Sequence, residues 1–143
     1  MMKTRVGYKQ LLEEAEKNIT SLSVDEALAL HREGKAKFLD IRDIREIERD
    51  GSIPGAIHCP RGMLEFWIDP ESPYHRPVFA GPHYFVFYCA AGCRSALATQ
   101  TAQMMGLSPV AHIKGGFGAW KEKNGPVEAY EREGARSTSK WLG

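Results

Sequence analysis

Apolar residues along the chain fall into two alternating patterns, short continuous runs and helical spacings, which predict a series of strands and helices. The continuous runs predict five strands, over or near residues 19–20, 37–40, 56–59, 84–88 and 109–113. The helical spacings predict six helices, over residues 8–17, 23–34, 43–50, 61–68, 95–105 and 117–123. Strands that alternate with helices indicate parallel βαβ units, and therefore an α/β fold built on a parallel sheet.

Local signals refine several of these elements. Ser23 and Glu26, three residues apart, form a capping box at the start of the second helix, and Gly34 suits its end. In the helix over 95–105, we expect four side chains to face the sheet, namely Leu97, Thr101, Met104 and Met105. Residues 69–83 contain four prolines and predict a long surface loop that leads into the central strand.

The stretch from Tyr84 to Ser95 carries the clearest chemical signal in the chain. Five aromatic or β-branched residues predict a strand that is covered on both faces, and Cys89 follows it directly. Open α/β sheets place their ligands at the carboxyl ends of strands. A short loop of small residues then leads into a helix, whose first backbone N–H groups lack intrahelical partners and stabilise a thiolate or another anion. The pattern therefore predicts a nucleophilic cysteine with an anionic or sulfur-rich partner.

Three motifs in this chain resemble those of a known family. Residues 89–95, Cys-Ala-Ala-Gly-Cys-Arg-Ser, resemble the active-site loop C-x-x-G-x-R-S of rhodanese-like sulfurtransferases. Residues 40–46 and 51–56 resemble its upstream motif, D-x-R-x-x-x-E followed by G-H-I-P-G-A, and residues 114–120 resemble its closing G-G-[aromatic]-x-x-W. Ser52 departs from the family pattern, which usually has His there. We expect this departure to alter a turn contact and to leave the chemistry unchanged.

The resemblance implies a single rhodanese-like domain with a five-stranded parallel sheet flanked by helices on both faces. We place the domain at residues 19–127, after an N-terminal helical extension (1–18) and before a C-terminal tail (128–143). The implied activity is sulfur transfer. The donor is thiosulfate or a similar small sulfur-containing anion, and the acceptor is cyanide or a thiol, which a sulfur-relay protein could supply. The resemblance implies no metal and no organic cofactor.

The resemblance also implies roles for individual residues. Cys89 would attack the outer sulfur of the donor and carry it as a persulfide. The substrate-binding loop would consist of Ala90, Ala91, Gly92, Cys93, Arg94 and Ser95. Its backbone N–H groups would hold the negative charge of the terminal sulfur, as an oxyanion hole does. Arg94 would orient the loop or face an anion, because a cation at a helix start is otherwise unfavourable. Asp40 and Arg42 would either support the loop or form an ion pair with a purely structural role.

Cys93 has three interpretations that the sequence leaves open. It is a small side chain in a tight loop, or a resolving thiol that takes over the sulfur or forms a disulfide with Cys89. A metal site is the least favoured, because Cys-x3-Cys is not a usual zinc spacing. Spacing alone indicates no partner for four of the histidines, and we assign no role to His58, His75, His83 or His112.

Two rival functions belong to other classes. Cysteine phosphatases and arsenate reductases have loops that resemble C-x5-R, whereas Arg94 follows Cys89 after only four residues, which favours a single sulfur atom over a tetrahedral oxyanion. The other rival is a binding module or a persulfide carrier without turnover, which would show the same motifs. Turnover with thiosulfate would distinguish an enzyme from a carrier.

Composition and charge predict which partners the protein has and in which compartment it works. The chain has 143 residues, of which 43% are hydrophobic and 26% charged, and a net charge of +1. Without a basic stripe or a polybasic cluster, we expect neither nucleic acid nor membrane as a partner. Three cysteines do not form a disulfide framework, and residues 1–18 lack the apolar core of a signal peptide. We therefore expect a cytoplasmic protein.

Overall fold

A computed structural model describes residues 5–131, and one sheet of five parallel strands lies at its centre. The strands are β1 (Thr20–Leu22), β2 (Lys37–Asp40), β3 (Ile57–His58), β4 (Phe85–Tyr88) and β5 (Val110–Ile113). They lie in the order β1-β5-β4-β2-β3, and each neighbouring pair is parallel. The predicted α/β class and the five-stranded parallel sheet are confirmed.

Six α-helices connect and cover these strands. They are α1 (Tyr8–Asn18), α2 (Val24–Glu33), α3 (Ile44–Asp50), α4 (Leu64–Ile68), α5 (Cys93–Met104) and α6 (Gly116–Glu122). Short 3₁₀ turns occupy Arg61–Met63 and Pro77–Ala80. The predicted capping box is present, since the Ser23 hydroxyl accepts the Glu26 N–H at 3.1 Å and the Glu26 carboxylate accepts the Ser23 N–H at 2.9 Å. No helix in the described residues is both long and apolar enough to span a membrane.

The core is divided by the sheet into two hydrophobic clusters. Phe85 and Phe87 of β4 point into one cluster, which they share with residues of α4 and α5. Val86 and Tyr88 point into the other, together with residues of α2 and α6. Successive side chains of a strand point to opposite faces, so β4 is covered on both sides and its sequence is apolar throughout. The expected helices on both faces of the sheet are therefore confirmed.

Two expectations about buried side chains are wrong. The face of α5 that is buried consists of small residues, Ser95, Ala96, Ala98, Thr99 and Ala102, whereas Met104 is 81% exposed. This helix packs against the sheet, α1 and α4 at once, and small side chains permit that close approach. Residues 69–83 are not purely a surface loop either, because the 3₁₀ turn within them places Val78 and Phe79 in the core.

The segment after α6 returns to the domain. The Trp120 indole N–H donates to the Pro126 carbonyl at 2.8 Å. The backbones of Ser52 and Glu128 then exchange two hydrogen bonds of 2.8 and 2.9 Å as an antiparallel bridge. The first residues of the predicted tail are therefore paired with the turn after α3. The rest of the predicted tail, including Trp141 and Leu142, lies outside the described residues.

Candidate active site

Cys89 lies directly after β4, at the carboxyl end of a strand with neighbours on both sides, as expected. Its side chain is only 1% exposed. The sulfur atom accepts the backbone N–H of Gly92 at 3.2 Å and the backbone N–H of Ser95 at 3.3 Å. Two backbone N–H groups of the predicted loop thus point directly at Sγ. Backbone N–H groups at a helix start can stabilise a negative charge that lies near them.

Glycines allow the loop to close around this sulfur. Gly92 precedes α5 with a φ of +102°, a left-handed conformation that side chains disfavour. Gly116 begins α6 with a φ of +62°, and a Cβ there would lie 2.5 Å from the Cys89 carbonyl oxygen. The Phe117 N–H donates to that carbonyl at 2.8 Å, and the Gly118 N–H donates to the Ala90 carbonyl at 3.0 Å. The first turn of α6 therefore holds the beginning of the loop in place.

Ser95 connects the cysteine to the interior of the sheet. Its hydroxyl lies 3.5 Å from the Cys89 sulfur, 3.3 Å from the Gly92 carbonyl oxygen and 2.9 Å from Nδ1 of His112. Nε2 of His112 in turn lies 3.1 Å from the hydroxyl of Ser21. Sequence reasoning assigned no role to His112. Its position on β5, between β1 and β4 in the sheet, is what brings it to Ser95.

Arg94 forms a bidentate ion pair with Glu46 of α3, at 2.8 and 2.9 Å. Hydrogen bonds from Arg94 lower the pKa of Glu46 to about 2, and Glu46 raises the pKa of Arg94. Glu46 also caps α3 by accepting the Asp43 N–H. The pair therefore connects the start of α5 to α3, and the orienting role of Arg94 stays a prediction. Glu46 was part of the upstream motif but had no assigned role, and its spacing from Arg94 in sequence gave no signal.

Asp40 and Arg42 form a second, fully buried ion pair, with each side chain only 1% exposed. The guanidinium donates from Nε to Oδ1 at 2.9 Å and from Nη2 to Oδ2 at 2.7 Å. It also donates to the Gly51 carbonyl and lies 4.4 Å from the centre of the Phe117 ring. Since the Phe117 N–H holds Cys89, the pair reaches the loop through α6. The ion pair thus has a structural contact with the loop, and whether it also supports the chemistry stays a prediction.

The remaining loop residues and cysteines are placed as follows. Ala91 and Cys93 are exposed, Ala90 is partly buried, and Cys93 is the first residue of α5. All three cysteines are free. Burial raises the pKa of Cys59 to about 12, so its thiol is unreactive at neutral pH. Within residues 5–131, no group of three or more His, Cys, Asp or Glu side chains is arranged to hold a metal ion.

Comparisons with known proteins give one matching family model and several similar proteins. The model of the family described as Rhodanese-like domain matches residues 23–123. A solved protein of unknown function from Rhodopseudomonas palustris, described as a possible tyrosine phosphatase, is 57% identical with a TM-score of 0.87, covering 90% of this chain and 98% of that one. The human single-domain sulfurtransferase is 28% identical with a TM-score of 0.62, covering 74% and 98%.

A curated relative extends the comparison to a longer protein. The mouse thiosulfate sulfurtransferase/rhodanese-like domain-containing protein 3 is 31% identical over 88 residues, which make up 58% of this chain and 56% of that protein. The chain therefore spans about half the length of this relative.

Proposed function

The chain belongs to the rhodanese-like domain family, and from this premise we propose that it is a sulfurtransferase that carries sulfur as a persulfide on Cys89. One observation supports the proposal above all others. The Cys89 sulfur lies at the centre of a loop whose Gly92 and Ser95 N–H groups point at it from 3.2 and 3.3 Å. In this proposal the arrangement activates a thiolate and receives an anion.

The proposed reaction proceeds in two displacements. The Cys89 thiolate attacks the outer sulfur of thiosulfate or a similar anion, the sulfur–sulfur bond of the donor breaks, and sulfite leaves with the bonding electrons. The persulfide then carries a negative charge on its terminal sulfur, which the N–H groups at the start of α5 stabilise. A second nucleophile attacks that sulfur, and the Cys89 thiolate leaves. Cyanide gives thiocyanate in this step, and a thiol gives a new persulfide.

Two other functions remain as alternatives. The description of the Rhodopseudomonas palustris protein as a possible tyrosine phosphatase favours phosphate-ester hydrolysis. Against it, Arg94 follows Cys89 after four residues rather than five, and its guanidinium is engaged by Glu46. The second alternative is a carrier that is loaded by a protein partner and does not turn over thiosulfate. Cys89 is the reacting group in both alternatives. The phosphatase would bind a phosphate ester, whereas the carrier would receive sulfur from a protein partner.

The experiment that tests the proposal is intact-mass spectrometry of the reduced protein, before and after thiosulfate and then after cyanide. We expect a gain of one sulfur atom, located on Cys89, followed by its loss as thiocyanate. Cys89→Ser should show no gain while keeping the native fold by circular dichroism. No gain in the reduced wild-type protein would contradict turnover with thiosulfate. Loading by a desulfurase would then indicate the carrier, and hydrolysis of an aryl phosphate would indicate the phosphatase.

The proposal also includes the cellular compartment and a role for the second cysteine of the loop. Free thiols at Cys59, Cys89 and Cys93 suit a reducing compartment, and we place the protein in the cytoplasm. Cys93 is exposed at the start of α5, where a resolving thiol would be accessible to oxidants. If it has that role, Cys93→Ala should remove a Cys89–Cys93 disulfide that forms on peroxide treatment.

A further inference from the structure

A chain of four side chains leads from the Cys89 sulfur to the edge of the sheet. The sulfur contacts the Ser95 hydroxyl at 3.5 Å, and this hydroxyl contacts Nδ1 of His112 at 2.9 Å. Nε2 of His112 contacts the Ser21 hydroxyl at 3.1 Å. Ser95 and His112 are buried, whereas Ser21 lies exposed on the edge strand β1. The proposed sulfur transfer accounts for Cys89 and the loop, but it gives His112 and Ser21 no part.

Parallel strand register explains why this chain is continuous. His112 of β5 lies beside Ser21 on one side and beside Phe87, two residues before Cys89, on the other. The helix α5 then lays Ser95 against the same face of the sheet. A histidine is the one side chain here that can accept a proton at one ring nitrogen while releasing another from the second. The two hydroxyls can each donate and accept.

Ionisation of Cys89 through this chain reverses the direction of every hydrogen bond in it. When Cys89 is a thiol, it donates to Ser95, Ser95 donates to Nδ1, and a proton on Nε2 donates to Ser21. When Cys89 is a thiolate, it can only accept, so the Ser95 hydroxyl turns towards the sulfur. Nδ1 then carries the ring proton and donates to Ser95, while Nε2 accepts from Ser21. The imidazole is neutral in both states but changes tautomer.

We propose that the Cys89–Ser95–His112–Ser21 chain conducts the thiol proton away from the reacting sulfur and releases it at the exposed edge strand. Four protons each move one place: from sulfur to the Ser95 oxygen, from Ser95 to Nδ1, from Nε2 to the Ser21 oxygen, and from Ser21 to water. No electrons are transferred, and one proton leaves for each thiolate formed. His112 thereby acts as a positioning residue, through Ser95. The inference rests on the proposed function in one respect, that Cys89 is the nucleophile.

The surroundings of His112 suit a change of tautomer rather than the formation of an imidazolium ion. Burial lowers the pKa of this histidine, so the neutral ring predominates at neutral pH. Glu16 of α1 is the charged group that acts on it in the opposite sense. Cys89 is reached from the ring through Ser95, and the charged group that acts on Cys89 is Arg94, which is paired with Glu46. The Gly92 carbonyl competes for the Ser95 hydroxyl, but at 3.3 Å it is the longer contact.

Nitrogen NMR of the histidine rings tests the proposal without a sulfur donor. We expect the ring proton of His112 to move from Nε2 to Nδ1 over the same pH range in which ultraviolet absorbance reports the Cys89 thiolate. Ser95→Ala should still form the thiolate but lose the change at His112. Cys89→Ala should also lose it. Thr99→Ala is the matched control, because it removes a buried hydroxyl one turn further along α5 that donates to the Ser95 carbonyl. It should keep the change.

Two results would overturn the proposal. One is a His112 ring that keeps the same tautomer while Cys89 ionises in the wild-type protein. The other is a change of tautomer that persists in Ser95→Ala or Cys89→Ala, since His112 would then respond to another group. Failure of sulfur loading from thiosulfate leaves these spectra unaffected, so it would contradict the proposed function without contradicting the proton path.

Discussion

Replacing Asp40 with Asn is expected to destabilise the fold strongly while leaving the chemistry of Cys89 largely intact. The two side chains have nearly the same volume, so the change removes charge and one acceptor without creating a cavity. Asn keeps one oxygen for the Nε–H of Arg42, but its amide nitrogen replaces the oxygen that now accepts from Nη2 at 2.7 Å. The guanidinium, which is 1% exposed, is then left with an uncompensated charge.

The expected cost follows from this geometry. Removing one partner of a buried ion pair typically costs about 3–5 kcal/mol. Arg42 keeps its hydrogen bond to the Gly51 carbonyl and its contact with the Phe117 ring, which both favour the charged group. We therefore expect the lower end, about 3 kcal/mol. With a urea m-value of about 2 kcal/mol/M, the unfolding midpoint should fall by about 1.5 M.

Urea unfolding followed by fluorescence measures this difference, with Asp50→Asn as the matched control. Asp50 pairs with Arg49 on the surface, and the same substitution there should leave the midpoint unchanged. Persulfide formation per folded molecule should stay close to the wild-type value, because Asp40 acts on the loop through Arg42 and through its strand neighbour Tyr88 and not on the Cys89 sulfur itself. A loss below 1 kcal/mol for Asp40→Asn, or equal losses for both variants, would refute the reasoning.

Two more predictions concern the Cys89 loop and the ion pair that connects it to α3. Gly116→Ala should abolish most sulfur transfer, because its Cβ would clash with the Cys89 carbonyl oxygen. Gly55→Ala, also at a positive φ but in open space, should stay active, and equal activities would exclude the clash. Glu46→Gln should lower the melting temperature at pH 7 by more than at pH 3. The pKa of Glu46 is lowered from 4.5 to about 2 in the folded state. The ionised side chain therefore contributes its full stabilisation of the fold above pH 4.5, and this stabilisation is lost as the pH falls through 2. An equal difference at both pH values would contradict this assignment.

The placement of Cys89 could be predicted because its signals are local in sequence. A continuous apolar run, a loop of small residues and a helix start are adjacent, and each has a direct structural meaning. The contacts that complete the site could not be predicted in this way. Glu46 meets Arg94, and His112 meets Ser95, only once the strand order and the packing of α3 and α5 are known. Spacing within one segment contains no information about either pair.

The error in predicting which face of α5 is buried has a different cause. The prediction assumed that the largest apolar side chains of a helix face the core, which holds for a helix that covers a sheet loosely. Close contact with the sheet, α1 and α4 favours Ala, Ser and Thr on the inner face instead, and leaves Met104 outside. Small residues on the inner face of α5 therefore indicate a short distance between this helix and its neighbours. That distance is a property of the assembled fold.

The return of the chain after α6 has a practical consequence for recombinant work. The region that matches the family ends at residue 123, before the Trp120–Pro126 hydrogen bond and the Ser52–Glu128 bridge are complete. A fragment cut at 123 would leave the Trp120 indole N–H and the Ser52 backbone without these partners. It would also uncover Gly51, whose carbonyl holds Arg42. Expression fragments and C-terminal fusions should therefore retain the chain through at least residue 131.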